Sequence, residues 1–226
     1  MNLESIQHAV SVSGWILYLM AVLLLVALTV VIERSWYLWK LKTQGGRFMG
    51  QLKAVQSIES NMVGHLVESN AWLPHAKVLD VALQHDLTHD FERIPDKLEE
   101  AIMGEAPGID RYLWILDTIV TMAPLLGLLG TIIGMFNSFQ VLGDSNNMPT
   151  KVTGGVAEAL LATASGLFIA ILGLFFFNAL NNRVRVIMHQ LETLKVMLIN
   201  RMYPHYHDTA RHQNKGVVTD LRSRAM

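Results

Sequence analysis

Three long stretches without Asp, Glu, Lys or Arg constrain this 226-residue chain more than any other feature. They run over residues 5–32, 118–143 and 159–182, and so are 28, 26 and 24 residues long. About 20 apolar residues suffice to cross the hydrocarbon core of a bilayer as a helix, so each stretch is long enough to span with some tilt. The overall charged fraction of 16% reflects the same pattern, since soluble domains carry roughly 25%. The first stretch exceeds the usual 7 to 15 residues of a secretory signal core, has no basic segment before it and no small-x-small cleavage site after it. It reads as an uncleaved anchor.

Basic residues set the expected orientation. Of the 18 Lys and Arg, nine lie in residues 33–112 and eight in residues 182–226, and only Lys151 falls between the second and third runs. That asymmetry places the central region and the tail in the cytoplasm. The expected fold is an all-α membrane protein with three transmembrane helices and long cytoplasmic helical extensions. Its segments are an outer N-terminal stretch (1–13), a first span (14–32), a cytoplasmic helical region (33–113), a second span (114–142), an outer loop (143–155), a third span (156–181), a cytoplasmic extension (182–204) and a flexible tail (205–226). A net charge of −1 argues against nucleic-acid binding, and the absence of cysteine excludes disulfides, thiolate metal sites and a Cys nucleophile.

Outside the spans the chain reads as helical. Residues 91–113 are rich in charge, without strand-like alternation, and are expected to run on into the second span as one helix. Val184, Ile187, Leu191, Leu194 and Leu198 recur at three- and four-residue steps, so the third span is expected to continue as an amphipathic helix that Pro204 ends. Leu3, Ile6, Ala9 and Val10 make a short apolar stripe that fits either an interfacial helix or a frayed terminus.

The three spans differ in kind. The first is bulky and reads as lipid-facing. In the second, Gly127, Gly130 and Gly134 include a GxxxG step, which lets helix backbones approach closely where no hydrophobic effect drives association. In the third, Ala159, Ala162, Thr163, Gly166, Ala170 and Gly173 fall within about a 100° arc. Asp117, Thr121, Pro124, Thr131 and Ser138 stand at offsets 0, 4, 7, 14 and 21 and form one polar stripe, which faces protein or water because lipid leaves polar groups unsatisfied. A static bundle with interhelical hydrogen bonds is the alternative reading of the same hydroxyls. Glu158 follows Gly154 and Gly155 at the start of the third span. It reads either as a first-turn acid stabilised by the helix dipole or as an acid that tunes a polar channel. By helix geometry it lies about 140° from Thr163.

The stretch APLLGLLGTIIGMFNSF (123–139), followed by GGVAEALLATASGLFIAI (154–171), closely resembles the paired signature of the ExbB/TolQ/MotA proton channel group, in its ExbB/TolQ branch. The resemblance covers roughly residues 110–185. It implies a homopentameric ring in the bacterial inner membrane, with the second and third helices lining a pore. It also implies a single-span ExbD/TolR-type partner that carries an intramembrane Asp. The hydroxyls of the family's GT and EALxAT motifs fall on Thr131 and Thr163, and its glutamate falls on Glu158. Family members often read AIPA where this chain has Ala170, Ile171, Leu172 and Gly173.

This chain has no carboxylate or histidine in the middle of any span, so a proton channel built from it needs a titrating group from a partner. Hydroxyls can hydrogen-bond a carboxyl in both of its protonation states. The resemblance therefore points to a motor subunit that uses the proton-motive force to energise a TonB-type protein for outer-membrane nutrient uptake. A TolQ-like subunit acting on a TolA-type protein in a Tol–Pal envelope system is the alternative, and a passive membrane scaffold is a third reading. A flagellar MotA-like stator fits less well, because that group has four spans. No enzymatic activity, cofactor or metal site is expected. His205, His207 and His212 are the nearest approach to a ligand cluster, in a segment without acidic or thiolate ligands at helical spacing.

Overall fold

A computed structural model describes residues 14–54, 61–84, 93–140 and 148–202. The described residues form six helices and no strand: α1 (Gly14–Ala54), α2 (Asn61–Ser69), α3 (Pro74–Gln84), α4 (Ile94–Ile109), α5 (Leu113–Gln140) and α6 (Met148–Met202). α1, α5 and α6 are each long and apolar enough to cross a membrane. The N-terminal stripe, Pro204 and the three tail histidines lie outside the described residues.

The chain divides into two compact units, one of residues 1–38 with 110–182 and one of residues 39–109 with 183–226. In the first, α5 and α6 pack through small residues, and Ile16 of α1 packs beside Gly130 of α5. The outward side of α1 carries Val22, Leu25, Leu28 and Ile32, all exposed, as a lipid-facing helix requires.

The second unit packs like a water-soluble helical domain. Leu41, Phe48 and Leu52 of α1, Leu79 of α3, Leu98 and Ile102 of α4, and Ile187, Leu191, Leu194 and Leu198 of α6 are buried. The sequence stripe on α6 is thus the core stripe, with Val184 half-buried at its start. Ion pairs tie the rim: Lys77 donates to both oxygens of Glu105 at 2.8 and 3.0 Å, and Lys195 pairs with Glu99. The Arg201 guanidinium donates to the carbonyls of Leu52 and Lys53 at 2.8 and 3.0 Å, which satisfies backbone acceptors left open at the C-terminus of α1.

The structure departs from two sequence expectations. Residues 91–113 do not run unbroken into the second span, because α4 ends at Ile109 and α5 begins at Leu113. Pro107 deprives the carbonyl of Met103 of its helical donor, and Gly108 follows it, so the last turn of α4 is weak. Tyr112 then takes a left-handed φ of 66°, and the Leu113 and Ile115 N–H groups donate to Asp110 and Tyr112 across the turn. The second departure lies at 143–155, expected as a loop. α6 already begins at Met148, with Pro149 in a first turn whose N–H groups have no helical acceptor in any case.

Candidate functional site: the small-residue pair α5–α6

The contact between α5 and α6 is antiparallel and can be followed rung by rung. Val120 meets Gly173, Ala123 meets Gly166, Gly127 meets Thr163, Gly130 meets Ala162, Gly134 meets Ala159 and Ser138 meets Gly155. A Cβ on Gly130 would stand 2.7 Å from that of Ala162, and one on Gly134 would stand 2.8 Å from that of Ala159. A Cβ on Gly166 would stand 2.5 Å from the Ala123 carbonyl oxygen. Gly127, Gly130, Gly134 and Gly166 lie in this contact, and Ala170 and Pro124 are half-buried.

Close approach exposes the backbone of α5 to the side chains of α6. The Thr163 hydroxyl donates to the Gly127 carbonyl at 3.1 Å, a bond that crosses between helices. In a helix that same carbonyl accepts the N–H four residues on, which here belongs to Thr131. The Thr131 hydroxyl donates to the Leu128 carbonyl of its own helix at 2.7 Å. Each hydroxyl hydrogen is thus taken up by backbone, while oxygen lone pairs remain to accept. Thr163 thus bonds across the helix pair and Thr131 within its own helix.

The rungs also fix depth. Thr131 lies between Gly130 and Gly134, hence between Ala162 and Ala159 on the other helix, within about one turn of Thr163. Two right-handed helices in antiparallel contact bring the same angular sense to the same side of the pair. Thr131 and Thr163 are turned about 70° and 85° from their buried midlines in the same sense, so they share one flank, with Pro124 below them. Glu158 is half-buried and turned about 55° the other way, so it borders the opposite flank. The sequence separation of Glu158 from Thr163 therefore persists as two sides of one helix pair.

The polar stripe of α5 is not a single face. Asp117 and Thr121 are exposed, Pro124 and Thr131 are half-buried, and Ser138 is buried against Gly155 with its hydroxyl on the Gly134 carbonyl at 2.8 Å. A seven-residue repeat drifts about 20° per heptad on a straight helix, so three heptads carry the stripe from the open side into the contact. Ser165 was missing from the sequence reading. It lies seven residues after Glu158, on the Glu158 flank, and its hydroxyl returns to the Leu161 carbonyl at 2.8 Å. That seven-residue spacing was the available signal. Among the described residues no group of His, Cys, Asp and Glu is arranged to hold a metal.

A three-span helical membrane protein built around a close small-residue helix pair is the class that these features define. The description of the MotA/TolQ/ExbB proton channel family matches residues 71–193, more than half of the chain. The putative biopolymer transport protein ExbB-like 3 of Synechocystis sp. is 34% identical over 159 residues, which are 68% of this chain and 74% of that protein. The biopolymer transport protein ExbB of Aquifex aeolicus is 38% identical over 78 residues, 34% of this chain and 53% of that protein. The Tol-Pal system protein TolQ of Haemophilus influenzae is 35% identical over 88 residues, 38% of this chain and 39% of that protein. This chain belongs to the MotA/TolQ/ExbB proton channel family.

Proposed function

We propose that this chain is an ExbB-like subunit of the bacterial inner membrane, with its N-terminus in the periplasm and its C-terminus in the cytoplasm. In this reading it forms a homo-oligomeric ring, most simply the pentamer that the family resemblance implies. With an ExbD-type partner it uses the proton-motive force to energise a TonB-type protein. The observation that carries the proposal is the pair Thr131 and Thr163, two hydroxyls in one layer and on one flank of a helix pair with no ionisable side chain in residues 118–143 or 159–182. A carboxylate at that depth would repel a partner Asp once it ionised. A hydroxyl accepts from the protonated acid and, by rotating off its backbone acceptor, donates to the ionised one. Glu158, on the other flank and one turn nearer the outer side, would bias the local potential rather than bond the same carboxyl.

The test is proton flux through the chain reconstituted with its single-span partner. Thr131→Val and Thr163→Val keep shape and remove the hydroxyl. Loss of a hydrogen bond to a charged group corresponds to about ten- to hundredfold slower flux. Normal assembly with full flux in both variants would replace the channel reading with a passive scaffold. The TolQ-like alternative is supported by the similarity to the Haemophilus protein, 35% identical over 88 residues. Expression in bacteria lacking either ExbB or TolQ separates the two, since restored siderophore uptake supports the first and restored envelope integrity the second.

A further inference from the structure

α5 carries one ionisable side chain that its packing against α6 does not use. Asp117 is exposed, and its carboxylate makes no ion pair or hydrogen bond among the described residues. Thr121, one turn on, gives its hydroxyl to the backbone carbonyls of Asp117 and Thr118 at 3.2 and 2.9 Å rather than to the carboxylate. Asp117 also lies beyond the first turn of α5, where the helix dipole would account for an acid. The nearest charges before it are Asp110 and Arg111; α1 is uncharged as far as Ile32, before Glu33 and Arg34, which pair with each other at 3.8 Å, and α6 is uncharged as far as Asn182.

The rungs of the helix pair give the depth of this group. Val120 meets Gly173, so Asp117, three residues back on the antiparallel helix, is level with about Phe176. From there α6 continues to Asn182, about 9 Å further, without a charge. α1 passes Gly130 at Ile16, so at the depth of Asp117, about 20 Å along, it has reached about Thr29, with Ile32 still ahead. Around that level Leu28, Ile32, Leu174 and Phe175 are all exposed apolar side chains, as lipid requires of the surface that it surrounds. Trp114, one turn below Asp117, is exposed and has the amphipathic ring that favours the membrane boundary. Asp117 is therefore a carboxyl group just inside one edge of the apolar slab.

Its direction ties it to the threonines. Asp117 is turned about 110° from the buried midline of α5, in the same sense as Thr131 at about 70°, with Pro124 between them. On α6, Asn181 follows Thr163 by five full helical turns, so it points the same way, and it is exposed. An ionisable group at such a depth faces protein or water rather than lipid, so this flank is the one that water or a partner reaches. About 21 Å of helix separates Thr131 from Asp117. Pro124 stands midway and has no N–H, which leaves the Val120 carbonyl without its helical donor and open to accept from water.

We propose that Asp117 is the proton acceptor at the inner end of this flank. The proposal rests on the proton-channel reading above. The partner's carboxylic acid, held beside Thr131 and Thr163, loses its proton as its O–H bond breaks. Water past the Val120 carbonyl relays the proton, and an O–H bond forms on the Asp117 carboxylate. Asp117 then releases the proton to water on the Trp114 side, and the partner's carboxylate is free to be protonated again from the opposite side.

The test is proton flux through the full chain reconstituted in vesicles with its single-span partner, driven by a potassium diffusion potential and read with a pH-sensitive dye in the lumen. Asp117→Asn should lower the flux about a hundredfold, the low end of what a positioned proton-transfer group contributes. Asp117→Glu should recover most of it. A merely structural role predicts the reverse, because Asn keeps the shape and Glu does not. Flux retained in Asp117→Asn, or lost equally in Asp117→Asn and Asp117→Glu, therefore overturns Asp117 as the acceptor. If size-exclusion chromatography shows that Asp117→Asn does not assemble, Asp117→Ser is read in its place with the same outcomes. Slow flux in Thr131→Val and Thr163→Val beside normal flux in Asp117→Asn overturns the acceptor alone. Full flux in all three overturns the channel reading with it.

Discussion

Between α5 and α6 the contacting residues are glycine, alanine, serine and threonine, with Val120 at one end, whereas the second unit closes on Leu41, Phe48, Leu79, Leu98, Leu191 and Leu194. Both are helix–helix interfaces, and the difference follows from the surroundings. In water, burial of a large aliphatic side chain is itself the driving force, at roughly 25 cal/mol per Å². In a bilayer, lipid tails solvate a leucine as well as another helix does, so attraction has to come from close backbone packing and from hydrogen bonds that cross the contact. The bond from Thr163 to the Gly127 carbonyl is available only because Gly127 has no side chain to cover it.

That contrast predicts opposite responses to bulk. Gly166→Val places atoms against the Ala123 carbonyl and the Gly127 Cα, all of it backbone that has no rotamer to move aside. The expected cost is about 3 kcal/mol at the contact, read as loss of the folded assembly in detergent by size-exclusion chromatography. Leu194→Ala makes the opposite change in the second unit, where removal of a fully buried leucine is expected to cost about 2 to 5 kcal/mol through the cavity it leaves. If Gly166→Val assembles with unchanged thermal stability, the close-contact account of α5–α6 fails.

The sequence made these two chemistries legible to different depths. The uncharged runs located α1, α5 and α6, because exclusion of charge from lipid acts residue by residue. The stripe from Ile187 to Leu198 located the second unit's core face, because its period is local to one helix. What stayed hidden depends on two elements meeting or on accumulated geometry. Ser138 belongs to the polar stripe by spacing, yet heptad drift turns it into the contact. Thr163 and Gly127 are far apart in sequence, and no local pattern announces that one donates to the other. The break at Tyr112 was obscured by helix-forming residues on both sides, and the weakening of the last turn of α4 by Pro107 and Gly108 went unread.

Among the described residues of the second unit, His75 is the one fully buried polar side chain in the apolar core, which sharpens the contrast. His75 of α3 is fully buried beside Phe48 of α1, with the Gln190 side chain of α6 next to the ring, and neither ring nitrogen makes a well-directed hydrogen bond. Burial, opposed in part by Gln190, lowers its pKa from 6.5 to about 4. In the unfolded chain the ring takes up a proton near 6.5, and in the folded unit it does so only near 4. The contribution of neutral His75 is therefore fully present above pH 6.5 and lost as the pH falls toward 4, by on the order of 3 kcal/mol. Thermal unfolding between those pH values should lose this slope in His75→Leu. An unchanged slope would mean that the imidazole is solvated.

The smallest predicted effect separates glycines that are needed from glycines that are merely present. A Cβ on Gly45 of α1 would collide with the His75 ring, which is enclosed and has nowhere to go, so Gly45→Ala is expected to destabilise by about 1 to 3 kcal/mol. Gly104, in the interior of α4, has open space where its Cβ would stand. Gly104→Ala should therefore stabilise by about 0.5 to 1 kcal/mol, since alanine restricts the unfolded chain and favours helix. The cause at Gly45 can be isolated by a double-mutant cycle with His75→Ala, in which removal of the ring should recover most of the loss at Gly45 while leaving the gain at Gly104 unaltered. If the two glycine substitutions give the same sign, space beside the backbone is not what distinguishes them.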